Sequence, residues 1–241
     1  MKPKEKLQIP DGSIIFVGNY GSGKTEVAVN FALYLKRHGE ARVHLVDLDI
    51  VNPYFRSREA IHELTADGID VVAPTGENFY SESPIILPRI GTLLRQPAER
   101  VILDVGGDDA GATVLASLKD AIRPGSHHLW MVLNARRPFT DTVEGSVEMI
   151  RKIEAASKLK MDGIVSNTHL LHETTIAIVT EGFRMAQEVA RSFSVPVPFV
   201  AMEDRLVEEW ENAGAGVAVL PLHLTMRRPW EKEAQGGTNR A

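Results

Sequence analysis

A glycine-rich segment carries the clearest chemical pattern in the sequence. Residues 18–25 are Gly-Asn-Tyr-Gly-Ser-Gly-Lys-Thr, with the apolar run Ser13–Val17 before them and the amphipathic stretch Lys24–Arg37 after them. This is the spacing GxxxxGK[ST] in the strand–loop–helix context that a phosphate-binding loop requires. The glycines allow the backbone to turn successive N–H groups towards a phosphate, and the helix N-terminus adds a partial positive charge. The segment therefore predicts a site for a nucleotide phosphate chain.

The residues of this loop have separate predicted roles. We expect Lys24 to reach the β- and γ-phosphates, where it also serves as a catalytic residue, and the Thr25 hydroxyl to ligate Mg²⁺. The predicted nucleotide contacts are the whole loop and the residue after it: Gly18, Asn19, Tyr20, Gly21, Ser22, Gly23, Lys24, Thr25 and Glu26.

Carboxylates lie at the ends of two further strand-like runs. Asp47 and Asp49 follow one apolar run, and Asp104 lies near the end of another, residues 101–105. Ligands of a parallel sheet bind outside the carboxyl ends of its strands, so these groups should face the phosphate loop. We predict that Asp104 holds a Mg²⁺-bound water, that Asp47 lies near the metal, and that Asp49 orients the attacking water.

Two segments near these carboxylates are predicted to respond to the nucleotide. Residues 106–110 begin with two glycines, and Gly107 would let a backbone N–H approach the γ-phosphate. Residues 52–58 occupy the position of a second switch loop.

Short apolar runs alternate with amphipathic ones along most of the chain. Strands are predicted at residues 13–17, 42–47, 69–73, 101–105, 129–134, 163–166 and 198–201. Helices are predicted at residues 24–37, 56–65, 112–122, 140–156 and 173–193, and a loop at residues 74–84. This alternation predicts an α/β fold, a doubly wound, mainly parallel sheet with helices on both faces in three α/β/α layers. We expect one domain over residues 1–241, with a core at 13–220 and tails at 1–10 and 226–241.

Composition excludes several classes of function. The formal charge is −5, from 27 Lys and Arg against 32 Asp and Glu, which disfavours nucleic acid as a partner. The absence of cysteine excludes disulfides, thiolate catalysis and cysteine-ligated metal centres in this chain. No apolar run approaches the ~20 residues that span a bilayer, and the charged N-terminus is unlike a signal peptide. We expect a cytoplasmic protein with no membrane partner.

The order of these motifs resembles a known family. A phosphate loop, then Asp-x-Asp at 47–49, then Asp-x-Gly-Gly at 104–107 is similar to the MinD/ParA/CobQ-type P-loop NTPases of the SIMIBI class. That class also holds dethiobiotin synthetase and the signal recognition GTPases. The likeness covers nearly all of residues 13–220. It implies Mg²⁺-dependent binding of a nucleotide, usually ATP, and slow hydrolysis coupled to a conformational switch.

Later segments of the chain extend the resemblance to the nucleotide base. Residues 163–169 resemble the strand whose terminal Asn contacts adenine, which transfers that role to Asn167. Residues 197–204 resemble the segment that lines the base pocket, which makes Pro198 a candidate contact. The sequence after Asn167 is Thr-His-Leu, without the Asp of GTP-specific relatives, and this favours ATP over GTP.

The sequence departs from the ParA/MinD pattern in the phosphate loop. Those proteins carry a signature lysine at its second position, where this chain has Asn19. The departure puts the usual ATP-dependent homodimer in doubt, or assigns the role of the lysine to an arginine. The candidates are Arg56, Arg58, Arg136 and Arg137.

Three functions remain open at this point. The first is a regulatory or assembly ATPase whose nucleotide state changes its grip on an unidentified protein partner. The second is an ATP-dependent synthetase, similar to dethiobiotin synthetase, that activates a small-molecule carboxylate. The third is DNA segregation through a basic face, which the net charge of −5 disfavours. The Asp-x-Asp motif and the MinD-like later segments favour the first function, and the missing lysine favours the second.

Overall fold

The computed structural model describes residues 7–49, 58–73, 79–96, 98–107, 109–123, 125–214 and 216–223. Its eight strands are β1 Ser13–Val17, β2 Val43–Leu48, β3 Ile69–Val72, β4 Arg100–Val105, β5 His127–Leu133, β6 Gly163–Ser166, β7 Val200–Glu203 and β8 Val219–Leu222. Its seven α-helices are α1 Lys24–Arg37, α2 Arg58–Ala66, α3 Phe79–Leu94, α4 Asp109–Leu118, α5 Val143–Ser157, α6 Ile176–Phe193 and α7 Asp204–Asn212.

The eight strands form one parallel sheet in the order β3-β2-β4-β1-β5-β6-β7-β8. Alternate residues of β1 point to opposite faces: Ile15 and Val17 join one apolar core, and Ile14 and Phe16 join the other. The first core contains buried residues of α4, α5 and α6, and the second contains the apolar face of α1. The chain therefore has the three-layer α/β/α fold predicted from its sequence.

The predicted loop at residues 74–84 is wrong in its second half, because α3 begins at Phe79 and contains Pro84. Proline normally ends a helix, which is why the sequence predicted a loop. Ile90 and Leu94 of α3 are buried in the first core, and this burial stabilises a helix with poor local propensity. The sequence analysis also missed two elements, α7 and the edge strand β8.

Part of the N-terminal segment packs against the core of the protein. Leu7 is buried and Ile9 packs beside it in the second core, although both fall within the predicted tail of residues 1–10. Both side chains therefore contribute to the core that contains α1. The predicted C-terminal tail lies outside the described residues. Within the described ranges, we find no helix with the length and apolar character needed to cross a membrane.

The register of the sheet brings the predicted site residues together. Asp47 of β2 lies directly opposite Asp104 of β4, and Phe16 of β1 lies opposite Asp104 on its other side. The segments that follow β2, β4, β1, β5 and β6 therefore meet at one edge of the sheet, because parallel strands all end there.

Candidate nucleotide site

The phosphate loop, residues 18–25, has the backbone that its glycines predict. Gly21 and Gly23 have φ angles of 72° and 82°, a region that favours glycine, and Gly23 caps the N-terminus of α1. The Ser22 N–H donates to the Asn19 carbonyl at 3.0 Å. The Ser22 hydroxyl is buried and lacks a hydrogen-bond partner among the described residues. The loop thus leaves a buried polar group available to a ligand.

Lys24 lies at the centre of a buried cluster of charges. Its ammonium donates to Asp49, and the two side chains are each 7% exposed. The Asp49 N–H donates to Asp47 Oδ1 at 2.9 Å, which ties the end of β2 into a tight turn. Asp104, on the neighbouring strand β4, is 1% exposed. The structure therefore brings the predicted lysine and all three predicted carboxylates to one place.

Burial and mutual charge shift the titration of this cluster. Burial raises the pKa of Asp47 well above its usual value, and the negative charge of Asp104 raises it further. Burial also raises the pKa of Asp104, against the opposing effects of Lys24 and the Thr25 hydroxyl. Burial lowers the pKa of Lys24, but the charges of Asp104 and Asp49 outweigh it, so the net direction is upward. Three carboxyl groups therefore surround one ammonium, and a bound cation would favour the ionised forms of Asp47 and Asp104.

The environment of the Asp104 carboxylate indicates whether Mg²⁺ is compatible with this site. Although the Thr25 hydroxyl is near enough to lower its pKa, neither oxygen has a hydrogen bond of ordinary geometry to a described residue. A buried carboxylate without partners is costly unless a ligand or water completes it. In the described ranges no three His, Asp or Glu side chains form a metal cage by themselves. Mg²⁺ commonly binds through one or two carboxylates together with phosphates and waters, so the residues fit that cation.

Gly107 packs directly against the phosphate loop. A Cβ atom at this position would lie 2.3 Å from the Gly18 carbonyl oxygen, so only glycine fits without movement of the backbone. The first residues after β4 thus contact the loop that is predicted to hold the phosphates. Asp108 and residues 52–57 of the predicted switch segments lie outside the described residues.

The connection between β5 and α5 is hydrogen-bonded to the phosphate loop, a feature that the sequence analysis missed. Asn19 Nδ2 donates to the Pro138 carbonyl at 2.7 Å, and Arg137 Nε donates to the Gly21 carbonyl at 2.8 Å. Asn19, which stands in place of the signature lysine, is therefore engaged within its own chain. Nothing in the local sequence indicates these bonds, because the first of them joins residues 119 positions apart.

The four candidate arginines have different positions. Arg137 is bonded to the phosphate loop as described, and Arg136 forms an ion pair with Glu181 of α6. Arg56 and the side chain of Arg58 lie outside the described residues.

Asn167 supports the phosphate loop from the end of β6. Its side chain is buried, and its Nδ2 donates to the Ser22 carbonyl at 2.7 Å. Its own N–H donates to the Leu133 carbonyl at 2.8 Å, which fixes it beside β5. Asn167 therefore lies at the predicted site, and its contact there is with the loop backbone.

Three predicted nucleotide contacts differ from the others in their position or in their exposure to solvent. The sequence predicts a strand that begins at Pro198, but β7 begins at Val200. Pro198 lies beside Gly163 at the start of β6. The structure therefore places Pro198 away from the edge that carries the phosphate loop. Glu26 is buried within the first turn of α1, and Tyr20 is 72% exposed.

Comparison with known proteins supports the fold. No protein-family model and no curated protein matches the chain. Among solved structures, signal recognition particle 54 kDa protein from Aeropyrum pernix, in complex with GDP, is 17% identical with a TM-score of 0.56, over 80% of this chain and 42% of that one. Cell division protein FtsY from Thermotoga maritima is 18% identical with a TM-score of 0.52, and the match covers 84% of this chain and 66% of that one. Chloroplast FtsY from Physcomitrella patens is 14% identical with a TM-score of 0.51, and the match covers 81% of this chain and 60% of that one.

These likenesses concern the fold alone. The chain spans between about two fifths and two thirds of the length of those structures. They share the three-layer α/β/α fold with this chain, and they do not single out the MinD/ParA branch.

Proposed function

We propose that the chain is a Mg²⁺-dependent nucleoside-triphosphate switch that hydrolyses its nucleotide slowly and uses the change to control a protein partner. The observation that carries this proposal is the buried cluster at the end of β1, β2 and β4. There Lys24 faces three carboxylates, and Asp104 has two buried oxygens without hydrogen-bond partners among the described residues. Such a set of groups suits phosphates and a divalent cation together.

The mechanism begins with the exchange of partners by Lys24. In the structure its ammonium is paired with Asp49. Triphosphate oxygens would draw the ammonium towards the loop, because they carry more negative charge than a single carboxylate. The exchange moves the Lys24 ammonium away from the Asp49 carboxylate, which then orients a water molecule towards the γ-phosphate. Nucleotide occupancy is in this way coupled to the end of β2.

The residues that would hold Mg²⁺ are Thr25 and, through a water molecule, Asp104, with Asp47 near the cation. When bound, Mg²⁺ supplies neutralisation of the charge on the phosphate oxygens. Gly107 lies against the phosphate loop, so its backbone N–H is placed to respond to the γ-phosphate.

Replacing Asp49 by alanine separates binding from hydrolysis. We expect Asp49→Ala to bind a non-hydrolysable ATP analogue at least as tightly as the wild type, because Lys24 loses its competing partner. Turnover should fall about 100-fold, the scale of a lost proton-transfer or water-orienting group. Phosphate-release kinetics measure the change, with the exposed Asp141→Ala as the charge-matched control. Unchanged turnover would assign the orientation of the water to another residue.

The preference for ATP over GTP is a proposal that depends on Asn167. The Aeropyrum pernix structure is a complex with GDP, so both nucleotides belong in the same experiment. We expect the wild type to prefer ATP and Asn167→Ala to lose most of that preference, as competition titrations with the two nucleotides would measure. The variant should also bind both more weakly, because the phosphate loop loses the bond to the Ser22 carbonyl. A weaker affinity with the preference intact would make Asn167 a support of the loop and not a reader of the base.

The mass of the protein in solution tests the switch against the synthetase alternative. Light scattering with Mg²⁺ alone, with ADP and with a non-hydrolysable ATP analogue gives the assembly state in each case. A mass that rises only with the ATP analogue supports a nucleotide-controlled assembly. A mass that is the same with and without nucleotide favours the synthetase that activates a small carboxylate. Stimulation of phosphate release by candidate carboxylates would then test that function.

A further inference from the structure

A cavity of about 370 Å³ lies between α4 and α5, next to the phosphate loop. Its lining includes the apolar side chains of Ala112, Phe139, Met149 and Ile153. Glu148 and Lys152 of α5 also line it and are about 70% exposed, so they lie at its opening. The cavity has room for one large apolar side chain, with a charged residue of each sign beside it.

One wall of the cavity is connected to the phosphate loop through Gly107. This residue lines the cavity and also packs on the Gly18 carbonyl, where a Cβ atom would come within 2.3 Å. Helix α4 begins two residues later, and Gly111 in its first turn lies tightly against the Gly106 carbonyl. Any movement of residues 106–107 towards a γ-phosphate would therefore move the start of α4 and change the width of the cavity.

The opposite wall is connected to the phosphate loop through Phe139. This residue has a φ angle of 68°, an uncommon conformation for a bulky side chain, and it is 73% exposed. Thr140 holds the turn by donating its hydroxyl to the Asn134 carbonyl at 2.9 Å. Pro138, the residue before Phe139, accepts the bond from Asn19. Bulky residues held in such an uncommon backbone conformation cluster at sites that bind ligands or partners.

Exposed apolar side chains also lie on the loops at this edge of the sheet. In the described part of the chain, the large hydrophobic side chains that are exposed are Tyr20, Phe139 and Leu170, and all three lie on loops at the phosphate edge of the sheet. Tyr20 and Phe139 directly follow the two residues joined by the Asn19–Pro138 bond. A small molecule in the cavity would leave this outer surface uncovered, whereas a protein segment would cover both.

We propose that the cavity between α4 and α5 is the docking site for a helical segment of a protein partner, which inserts one large apolar residue between Phe139, Met149 and Ile153. This inference rests on the proposed nucleotide switch, because both walls of the cavity are joined to the phosphate loop. Glu148 and Lys152 pair with each other at 2.7 Å, but an exposed pair of this kind contributes little. Glu148 and Lys152 lie one turn apart on α5, so a partner helix that presents a basic residue to the first and an acidic residue to the second is complementary in charge to the opening.

The test uses a displayed library of helical peptides of about 16 residues, a length at which a helix can be held stably. Selection is made on the full chain with Mg²⁺ and ATPγS. We expect the enriched peptides to share one large apolar residue flanked by charges of opposite sign. Their affinity should fall about tenfold or more for Met149→Glu and for Phe139→Ala, the scale of a lost anchor contact. It should also be several-fold weaker with ADP than with ATPγS.

The controls separate docking from folding and from nucleotide binding. Ala155→Glu places the same charge on an exposed position of α5 outside the cavity and should leave peptide affinity unchanged. Phe139→Ala removes an exposed side chain, so it keeps the test valid if Met149→Glu unfolds. A fluorescent-nucleotide titration of the same samples reports on the proposed function separately. If nucleotide does not bind, the proposed function is wrong, and so is the inference of a docking site controlled by nucleotide.

Three results with normal nucleotide binding would overturn the docking site alone. The first is that no peptide is enriched, and the second is that the enriched peptides are insensitive to Met149→Glu and Phe139→Ala. The third is equal peptide affinity with ATPγS and ADP. If the two substitutions instead abolish self-association in light scattering, the occupant is a second copy of this chain and not a different partner.

Discussion

Replacing Lys24 by alanine is expected to weaken the binding of Mg–ATP by at least about 30-fold, which corresponds to about 2 kcal/mol. Lys24 is 6% exposed and is the cation against which Asp47, Asp49 and Asp104 are balanced. Removing it takes away the group that attracts the β- and γ-phosphates. It also leaves three neighbouring carboxylates that repel them. Both consequences act in the same direction, so this substitution should have the largest effect on binding.

Calorimetric titration with Mg–ATPγS measures this loss. Arg37→Ala is the matched control, because it removes one positive charge from the exposed C-terminal end of the same helix. The control should bind as the wild type does. An affinity of Lys24→Ala within a few-fold of the wild type would show that residues 18–25 are not the phosphate site.

The second large effect is expected from Asp104→Asn, which should change function and stability in opposite directions. The Mg²⁺ concentration needed for half-maximal turnover should rise about 10- to 100-fold, the range seen when a group that orients a metal-bound water is lost. The nucleotide-free protein should become more stable, with a thermal midpoint higher by about 2–4 °C for each 1 kcal/mol gained. The reason is that a buried carboxylate with no hydrogen bond among the described residues no longer has to be ionised.

The effect of pH on this variant has a definite sign. Burial raises the pKa of Asp104, so the folded state holds its proton more strongly than the unfolded state does. The wild-type protein is therefore stabilised below the ordinary aspartate range and loses that part of its stability as pH rises through the raised pKa. The advantage of Asp104→Asn should consequently grow with rising pH. Thermal unfolding over a pH series measures it, with the exposed Asp120→Asn as control.

If the gain in thermal stability from Asp104→Asn is constant over the pH series, the pKa of Asp104 is not raised in the folded protein. A Mg²⁺ requirement equal to that of the wild type would remove Asp104 from the metal site. These two outcomes are independent, because one concerns the free protein and the other the protein with nucleotide.

The parts of this fold that are encoded locally could be predicted from the sequence. The phosphate loop and α1 follow from glycine spacing and helix periodicity, and the predicted bounds of α1 are those of the structure. The convergence of Asp47 with Asp104 follows from parallel pairing, and their residues lie opposite each other.

The parts that depend on distant contacts could not be predicted. Helix α3 contains prolines, and it forms because Ile90 and Leu94 are buried against the sheet. The bond from Asn167 to the Ser22 carbonyl joins residues 145 positions apart. Similarly, Asn19 could be recognised as a departure from a family pattern, but its bond to Pro138 exists only in the folded chain.

The measurement that tests the central claim most directly is a calorimetric titration of the wild-type protein with ATPγS, in Mg²⁺ and in EDTA. The proposed switch predicts saturable binding of one nucleotide per chain in Mg²⁺, and clearly weaker binding when the cation is removed, because Asp104 and Asp47 then face the phosphates uncompensated. GTPγS and ADP in the same series give the base and phosphate preferences. Absence of saturable binding of either triphosphate in Mg²⁺, by a protein that unfolds cooperatively, would contradict the account.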